Sequence, residues 1–498
     1  MQNGTRLAAV DLGSNSFRLE IGFLDHGVVQ PTEYFKETVR QGNGLDTERN
    51  LSDDAMERGW ACLARFGERL RGFRKSQVRA VATQTLREAR NRDRFISRAE
   101  SLLGFPIEVI SGREEARLIY QGVSRYLPQQ QEKRLVIDIG GRSTEMILGK
   151  GFEATTLESY RVGSVAWSMR YFPDGLLTEK AFTMAEIAAK AVLDEALQLY
   201  PIDQWEVAYG TSGTIGAVGD VLEAAGWAKG RIDRDGLDWI LDKLLKSQTT
   251  DRIRLEGIKD DRRAVISGGL SILRAIFHLL EIDEMQIAQG ALRHGALYDL
   301  LDREQLQTDL RGNSVQRLAT NFLVDAKQAQ RVGDVAKQLI QQALPELNND
   351  AQELREIHWA AQLHEIGNAI SHADAHKHGA YIIDNADATG FTMDELHRLS
   401  QLVLGHRGKL KKLEIGGNGP IFCAQLLALR LAVILCHARR NPTLDGVQLS
   451  FDKPQGMFEI SVPQGWSETY PQSAHLLREE CVSWLKTNWD YSLQFLDR

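Results

Sequence analysis

Residues 135–145 read LVIDIGGRSTE. Leu135, Val136 and Ile137 form an apolar run with the character of a buried strand, and its end delivers an Asp, two glycines, an Arg and a Ser-Thr pair. A strand that ends in this way is a candidate phosphate loop. Gly140 and Gly141 can take backbone angles that aim successive N–H groups at one anion, while Ser143 and Thr144 add hydroxyl donors. Asp138 and Glu145 would repel phosphate directly, so their work at such a loop is to hold a metal ion or a water.

The signal is doubled. The apolar run at 7–10 is followed by Asp11, Leu12, Gly13, Ser14, Asn15 and Ser16, so the order strand, Asp, x, Gly, small hydroxyl residues occurs twice. Such a repeat predicts two related halves whose strand ends face each other. A third turn of Gly and hydroxyl residues follows the strand pattern at 207–210, in Thr211, Ser212, Gly213 and Thr214. It suits a substrate-lining turn and an ordinary strand-to-helix turn equally.

Two further strand ends carry chemistry. Residues 78–83 deliver Thr83, Gln84, Thr85 and Arg87, whose guanidinium fork can hold phosphate oxygens, although Thr85 also reads as a plain helix cap. Residues 107–110 lead through Ser111 and Gly112 to Glu114 and Glu115. The helix dipole accounts for one carboxylate at a helix start, which leaves the other as a candidate general base.

Composition excludes several classes. A formal charge of −7 over 498 residues, with 43% hydrophobic and 26% charged residues, is that of an ordinary soluble protein and argues against a nucleic-acid coat. Cys62, Cys423, Cys436 and Cys481 form no CxxC pair and read as reduced thiols of a cytoplasmic protein. No secretory leader is read at the N-terminus, and the most apolar segment, 421–436, carries Gln425 and Arg430 and is too short to span a bilayer.

Along the chain, 17–23 and the turn at 25–27 predict a hairpin, and 53–71 predicts a helix capped by Ser52. An apolar helix is expected over 270–280, after Ser267, Gly268 and Gly269. From 303 onward the pattern is helical at 326–343, 354–363, 393–404 and 421–439; strands follow at 447–451 and 457–462, then a helix at 476–489.

Five ordered motifs, DLGSNSF at 11–17, ATQTLREARN at 82–91, ISGREEARLIYQGV at 110–123, DIGGRSTE at 138–145 and GTSGT at 210–214, together resemble the exopolyphosphatase and guanosine pentaphosphate phosphohydrolase family. The similarity continues to the C-terminus. It implies an α/β, actin-like fold of the ATPase superfamily, with duplicated ribonuclease-H-like domains at 1–125 and 126–302. An all-α HD-like domain at 303–440 and a small α+β C-terminal domain at 441–498 would follow.

By position, the resemblance puts the catalytic base on Glu115, and Mg²⁺ with its water on Asp138 and Glu145; K⁺ is the other ion considered. Asp11, Gly13, Ser14, Asn15, Arg87, Gly140, Gly141, Ser143, Thr144, Ser212 and Gly213 would line the phosphate site. Arg142 departs from the family pattern, where many members carry a small residue, and is expected either to contact phosphate or to narrow the site.

The leading expectation is an exopolyphosphatase that releases terminal orthophosphate processively from inorganic polyphosphate, a phosphoric anhydride hydrolase. The alternatives are a pppGpp 5′-phosphohydrolase producing ppGpp and a non-catalytic sensor of either ligand. Local likeness is divided. SHADAHKHGAYII at 371–383 and HRGKLKK at 406–412 lean to the first, whereas AMERGW at 55–60 and PQGW at 463–466 lean to the second. A homodimer is expected, and nucleic acid is not an expected partner.

In the helical domain an HD metal site would want a His before the pair and an Asp within it, but the positions hold Arg331 and His364-Glu365. Satisfied or surface histidines are therefore expected there. The cluster Arg407, Lys409, Lys411 and Lys412 reads as a solvated face or as a track for a polyanion.

Overall fold

A computed structural model describes residues 1–127, 131–302, 310–347, 352–410, 413, 419–452, 456–485, 487 and 489–496. The chain forms two compact units, Met1–Thr308 and Asp309–Arg498.

The first unit contains two sheets. In one, β1 (Arg6–Leu12), β2 (Ser16–Asp25), β3 (Val28–Thr38), β4 (Val78–Ala82) and β5 (Ile107–Val109) lie in the order β3-β2-β1-β4-β5. In the other, β6 (Lys133–Ile139), β7 (Thr144–Lys150), β8 (Glu153–Tyr160), β9 (Val207–Thr211), β10 (Arg231–Asp233) and β11 (Glu284–Ile287) lie in the order β10-β11-β9-β6-β7-β8. Each begins with three antiparallel strands and continues with two parallel ones beside the first strand, and the second sheet adds β10 antiparallel at its edge. The doubled motif is thus a doubled topology, and β1 and β6 are equivalent. Both are buried from their second residue onward around an apolar centre, Leu7–Val10 and Leu135–Ile137, as central strands with a parallel neighbour must be.

The helix Gly112–Ser124, capped by Ser111, whose Oγ accepts from the Glu114 N–H at 3.2 Å, lies among residues of both sheets. Its Ile119, Tyr120 and Val123 cluster with Val81 of the first sheet and with Val136, Ile147 and Tyr209 of the second. The helix Leu292–Asp302 leaves the second sheet and returns to the first, where Ala296, Leu297, Tyr298 and Leu300 cover Leu7, Ala9 and Val29. The segment 126–302 therefore does not stay with one sheet.

These two helices meet backbone to backbone. A Cβ at Gly295 would lie 1.8 Å from the Leu118 carbonyl oxygen, and one at Gly122 would lie 2.3 Å from that of Ala291. Glycine also explains a departure from the expected 270–280 helix. The helix spans Ile266–Leu279, taking in Gly268 and Gly269, because a Cβ at Gly268 would lie 2.5 Å from the Ser168 backbone nitrogen. Here the pair permits close packing and does not end the helix.

The second unit packs its helices and a three-stranded sheet, β12 (Gln448–Asp452), β13 (Met457–Pro463) and β14 (Asp490–Leu496), around one core. The helix expected to run to 489 is Pro471–Trp484, and the chain then adds β14 parallel to β13. Inside this core Arg430 is held by both carboxylate oxygens of Glu480, which also accepts from Trp484 Nε1. No helix among the described residues is long and apolar enough to cross a membrane.

Gly295→Ala is expected to lower unfolding free energy by about 1–3 kcal/mol or more, since the added methyl forces the two helices apart. Gly216→Ala, also in a helix but with nothing within 4 Å of its would-be Cβ, is expected to gain about 0.5–1 kcal/mol from helix propensity. Urea unfolding of both variants checks the contrast.

Candidate active site

A cleft of about 460 Å³ opens where the ends of β1 and β6 approach each other. The two glycine loops touch: a Cβ at Gly141 would stand 3.0 Å from the Cβ of Ser14. The second loop is shaped by its own backbone, with Gly140 N–H donating to Ser143 O, and Ser164 and Val165 N–H donating to the carbonyls of Gly140 and Gly141, each at 2.9 Å. In the first, Asn15 Nδ2 and Ser16 Oγ are buried without a hydrogen-bond partner while lining the cleft. Unpaired buried donors beside glycine turns favour an anionic ligand.

The duplication also aligns charge. Asp11 of β1 lies opposite Arg18 of β2 and pairs with it at 2.9 Å. At the equivalent place Asp138 of β6 lies opposite Glu145 of β7, a like-charge pair. Like charges directly across an antiparallel pair repel. Burial pushes Asp138 up to about 6, with Asp11 adding to the rise and Ser212 and Arg18 opposing it. Burial also pushes Glu145 well up, reinforced by Glu115 and Asp138, although Ser159 Oγ donates to it at 2.7 Å.

Glu114 and Glu115 separate cleanly. Glu114 is fully buried, and Arg117 and Arg79 outweigh burial to hold its carboxyl below the usual range. Glu115 lines the cleft, where burial pushes it up to about 7 despite Arg87, with Asp138 and Asp11 adding to the rise. Arg87 donates to Glu115 Oε2 at 2.9 Å and to the Ile110 carbonyl at 2.8 Å.

Of the residues singled out from sequence, Asp11, Gly13, Ser14, Asn15, Glu115, Asp138, Gly140, Gly141, Ser143, Glu145, Ser212 and Gly213 line the cleft. Three phosphate contacts need correction. Arg87 is turned to Glu115; Thr144 donates its hydroxyl to Val162 O at 2.6 Å; Arg142 is held by Glu88 and Gly42 O, both at 3.0 Å. None of the three is a cleft-lining residue.

Cations that sequence reading missed line the cleft instead: Arg18, Lys36, Lys259, Arg262 and Arg293. Arg18 had a signal, since it follows Asp11 by 7 residues, the same spacing that separates Asp138 from Glu145. Lys36, paired with Asp261 at 2.8 Å, and Arg262, whose guanidinium lies where a Cβ of Gly213 would meet it at 2.2 Å, depend on tertiary structure alone. Ser212 sits at φ 80°, an unusual angle for a side-chain-bearing residue that only the surrounding fold can hold.

Among the described residues no group of three or more His, Cys, Asp and Glu side chains is placed to hold a metal ion. The opposed Asp138 and Glu145 nonetheless fit Mg²⁺, which is commonly held by one or two carboxylates, waters and substrate phosphates. In the second unit His364 and His406 each donate Nδ1–H to a backbone carbonyl, of Ala361 and Val403, at 2.6 Å, and burial pushes both pKa values down. Arg331 donates to Asn441 Oδ1, and Glu365 is paired with Arg439. Arg407 donates to the His372 carbonyl and Lys409 is exposed, while Lys411 and Lys412 lie outside the described residues.

A carboxyl whose pKa is raised on folding weakens the fold above its unfolded pKa, because the native state then binds more protons than the unfolded chain. Glu145→Gln is therefore expected to melt higher than wild type at pH 8 without added metal. The gap should close as pH falls toward about 4.5, the ordinary glutamate value. Paired thermal melts across that range check it.

The chain matches the Ppx/GppA phosphatase family over residues 24–304 and domain III of the Ppx/GppA phosphatases over 310–481. It is 37% identical over 494 residues to the guanosine-5′-triphosphate,3′-diphosphate pyrophosphatase of Aeromonas salmonicida, covering 98% of this chain and 99% of that one. The protein of the same name from Aeromonas hydrophila is 38% identical with the same coverage. Among solved structures it is similar to the Aquifex aeolicus PPX-GPPA enzyme, with a TM-score of 0.51 and 24% identity over 59% of this chain and 99% of that one. An exopolyphosphatase from Cytophaga hutchinsonii gives 0.53 and 22% identity over 61% and 100%. At these identities the structures establish the actin-like fold, while the sequence matches over both units place the chain in the Ppx/GppA phosphatase family.

Proposed function

We propose that this protein is a pppGpp 5′-phosphohydrolase, which removes the terminal 5′-phosphate of guanosine 5′-triphosphate 3′-diphosphate with water and leaves ppGpp. The observation that carries the substrate is the full-length similarity to two proteins named for that activity. Exopolyphosphatase, the first expectation from sequence, is named by a structural relative at 22% identity.

The site supports hydrolysis by positioning and charge. Phosphoryl transfer asks little covalent chemistry of a protein; it asks for an in-line water, a proton acceptor and donors for the phosphate oxygens. Glu115, pushed up to about 7 by burial, is matched to accept the water proton near neutral pH. Arg87 fixes its carboxylate. As the water oxygen bonds to the terminal phosphorus, the bridging bond breaks and the electron pair leaves with ppGpp.

The glycine loops, with Ser14, Asn15 and Ser143, receive the transferred phosphate. Mg²⁺ held by Asp138 and Glu145 would supply neutralisation of phosphate charge. Lys36, Lys259 and Arg262 give the remaining phosphates of a nucleotide phosphorylated at both its 5′ and 3′ positions cationic partners in the same cleft. An acidic protein without such residues would repel so charged a substrate.

Phosphate release from pppGpp and from long-chain polyphosphate, measured side by side with Mg²⁺, tests the substrate; a strong preference for polyphosphate overturns the reading. Glu115→Gln is expected to lower kcat by at least about 100-fold, as removal of a general base does. Wild-type kcat/KM should rise as pH passes through about 7, where Glu115 loses its proton. A rate that stays flat from pH 5.5 to 8.5 would reject Glu115 as the base.

A further inference from the structure

The helix that carries Glu115 presents two consecutive carboxylates about 100° apart around its axis. Only one enters the cleft. Which one does so depends on how the helix is rotated, and Arg87 is the cation that donates to Glu115 itself. One arginine on a short helix, Gln84–Glu88, does not set the rotation of a helix of 13 residues.

Glu114 does. Arg117 donates to both of its oxygens at 2.8 Å, and Arg79 of β4 reaches it at 3.3 Å. The same two arginines turn to Asp299, on the helix Leu292–Asp302: Arg117 donates to Oδ1 at 2.5 Å and Arg79 to Oδ2. Glu114, Arg117, Asp299 and Arg79 thus close a ring of alternating charges, with side chains no more than 11% exposed. The ring joins three elements: a strand of the first sheet, the Glu115 helix and the helix that returns from the second sheet. The glycine contacts at 122 and 295 fix how closely the two helices approach, and the ring fixes how they are turned.

Buried charge networks are poor stabilisers, because desolvation offsets most of the attraction, and apolar side chains of equal volume often do as well. What such a ring supplies is a defined orientation. We propose that Asp299 is a positioning residue for catalysis, holding Glu114 through Arg79 and Arg117 so that Glu115 faces the cleft. The proposal rests on Glu115 being the base.

Asp299→Asn keeps the shape and one acceptor and removes the charge. With pppGpp and polyphosphate both assayed, so that a misassigned substrate leaves the test intact, kcat should fall roughly 10- to 100-fold, as a base displaced by about 1 Å would predict. KM should stay within about threefold, since positioning the base does not bind substrate. In a Glu115→Gln background the same substitution should bring no further loss, because coupled residues are non-additive. Glu108→Gln, which removes a partner of Arg79 outside the ring, should lower the melting temperature and leave kcat unchanged.

Arg117→Lys, which keeps charge but loses the fork, should reproduce the kcat loss if Asp299→Asn fails to fold. An unchanged kcat, a loss expressed in KM, an equal loss in the Glu115→Gln background, or failure of both ring variants to fold would each overturn the proposal. Full activity of Glu115→Gln alone would instead reject the base assignment.

Discussion

The first unit is built around carboxylates held close together out of water. Asp11, Glu115, Asp138 and Glu145 line one cleft, and burial with mutual repulsion lifts Glu115, Asp138 and Glu145 above the usual carboxylate range. Such a group is stable only if the surrounding fold fixes it more strongly than the charges push it apart. The surroundings meet that demand in different ways on either side. In the first sheet the strand position opposite Asp11 holds Arg18, which neutralises it; in the second the equivalent position holds Glu145, which leaves a repulsive pair suited to a cation. One repeated topology thus yields a paired half and an acidic half.

Beneath the cleft, close packing does the fixing. Gly122, Gly290 and Gly295 let two helices touch at their backbones, and Gly163 does the same for the second loop, where a Cβ would lie 2.4 Å from the Arg142 nitrogen. A buried residue that must be glycine cannot drift, because any displacement opens a void or a clash. The strained turn at Ser212 persists on the same terms.

Much of this was legible in the sequence, and what was not had a physical reason. The two Asp-Gly loops were found because duplication repeats the local pattern, and local patterns are what a sequence displays. Residue order alone leaves Glu114 and Glu115 alike and only the family resemblance picks Glu115, because the partners that hold Glu114 are distant in sequence: Arg79, one of them, meets Asp299 across a separation of 220 residues. Arg142 and Thr144 have the right chemistry in the right loop, but Glu88 and the Val162 carbonyl claim them first. Strand β14 is not legible in the sequence because its parallel partner supplies the pairing that its own residues do not announce. The substrate is of another kind: similar chemistry serves polyphosphate and pppGpp, so motif likeness divided where whole-chain similarity did not.

The helix Leu292–Asp302 has one more consequence. Because the chain enters and leaves the second sheet's half through the first, that half is an insertion tied at two places, and these touch: a Cβ at Gly290 would lie 2.6 Å from the Gly122 carbonyl oxygen. The two tethers thus meet at one place, where backbone lies against backbone with no room for a side chain. Nearer the glycine loops the halves are joined by two ion pairs, Lys36 with Asp261 and Arg142 with Glu88, that solvent still reaches. Each is worth only about 1 kcal/mol or less, so the two halves are held together mainly where the helices pack backbone to backbone, away from the cleft.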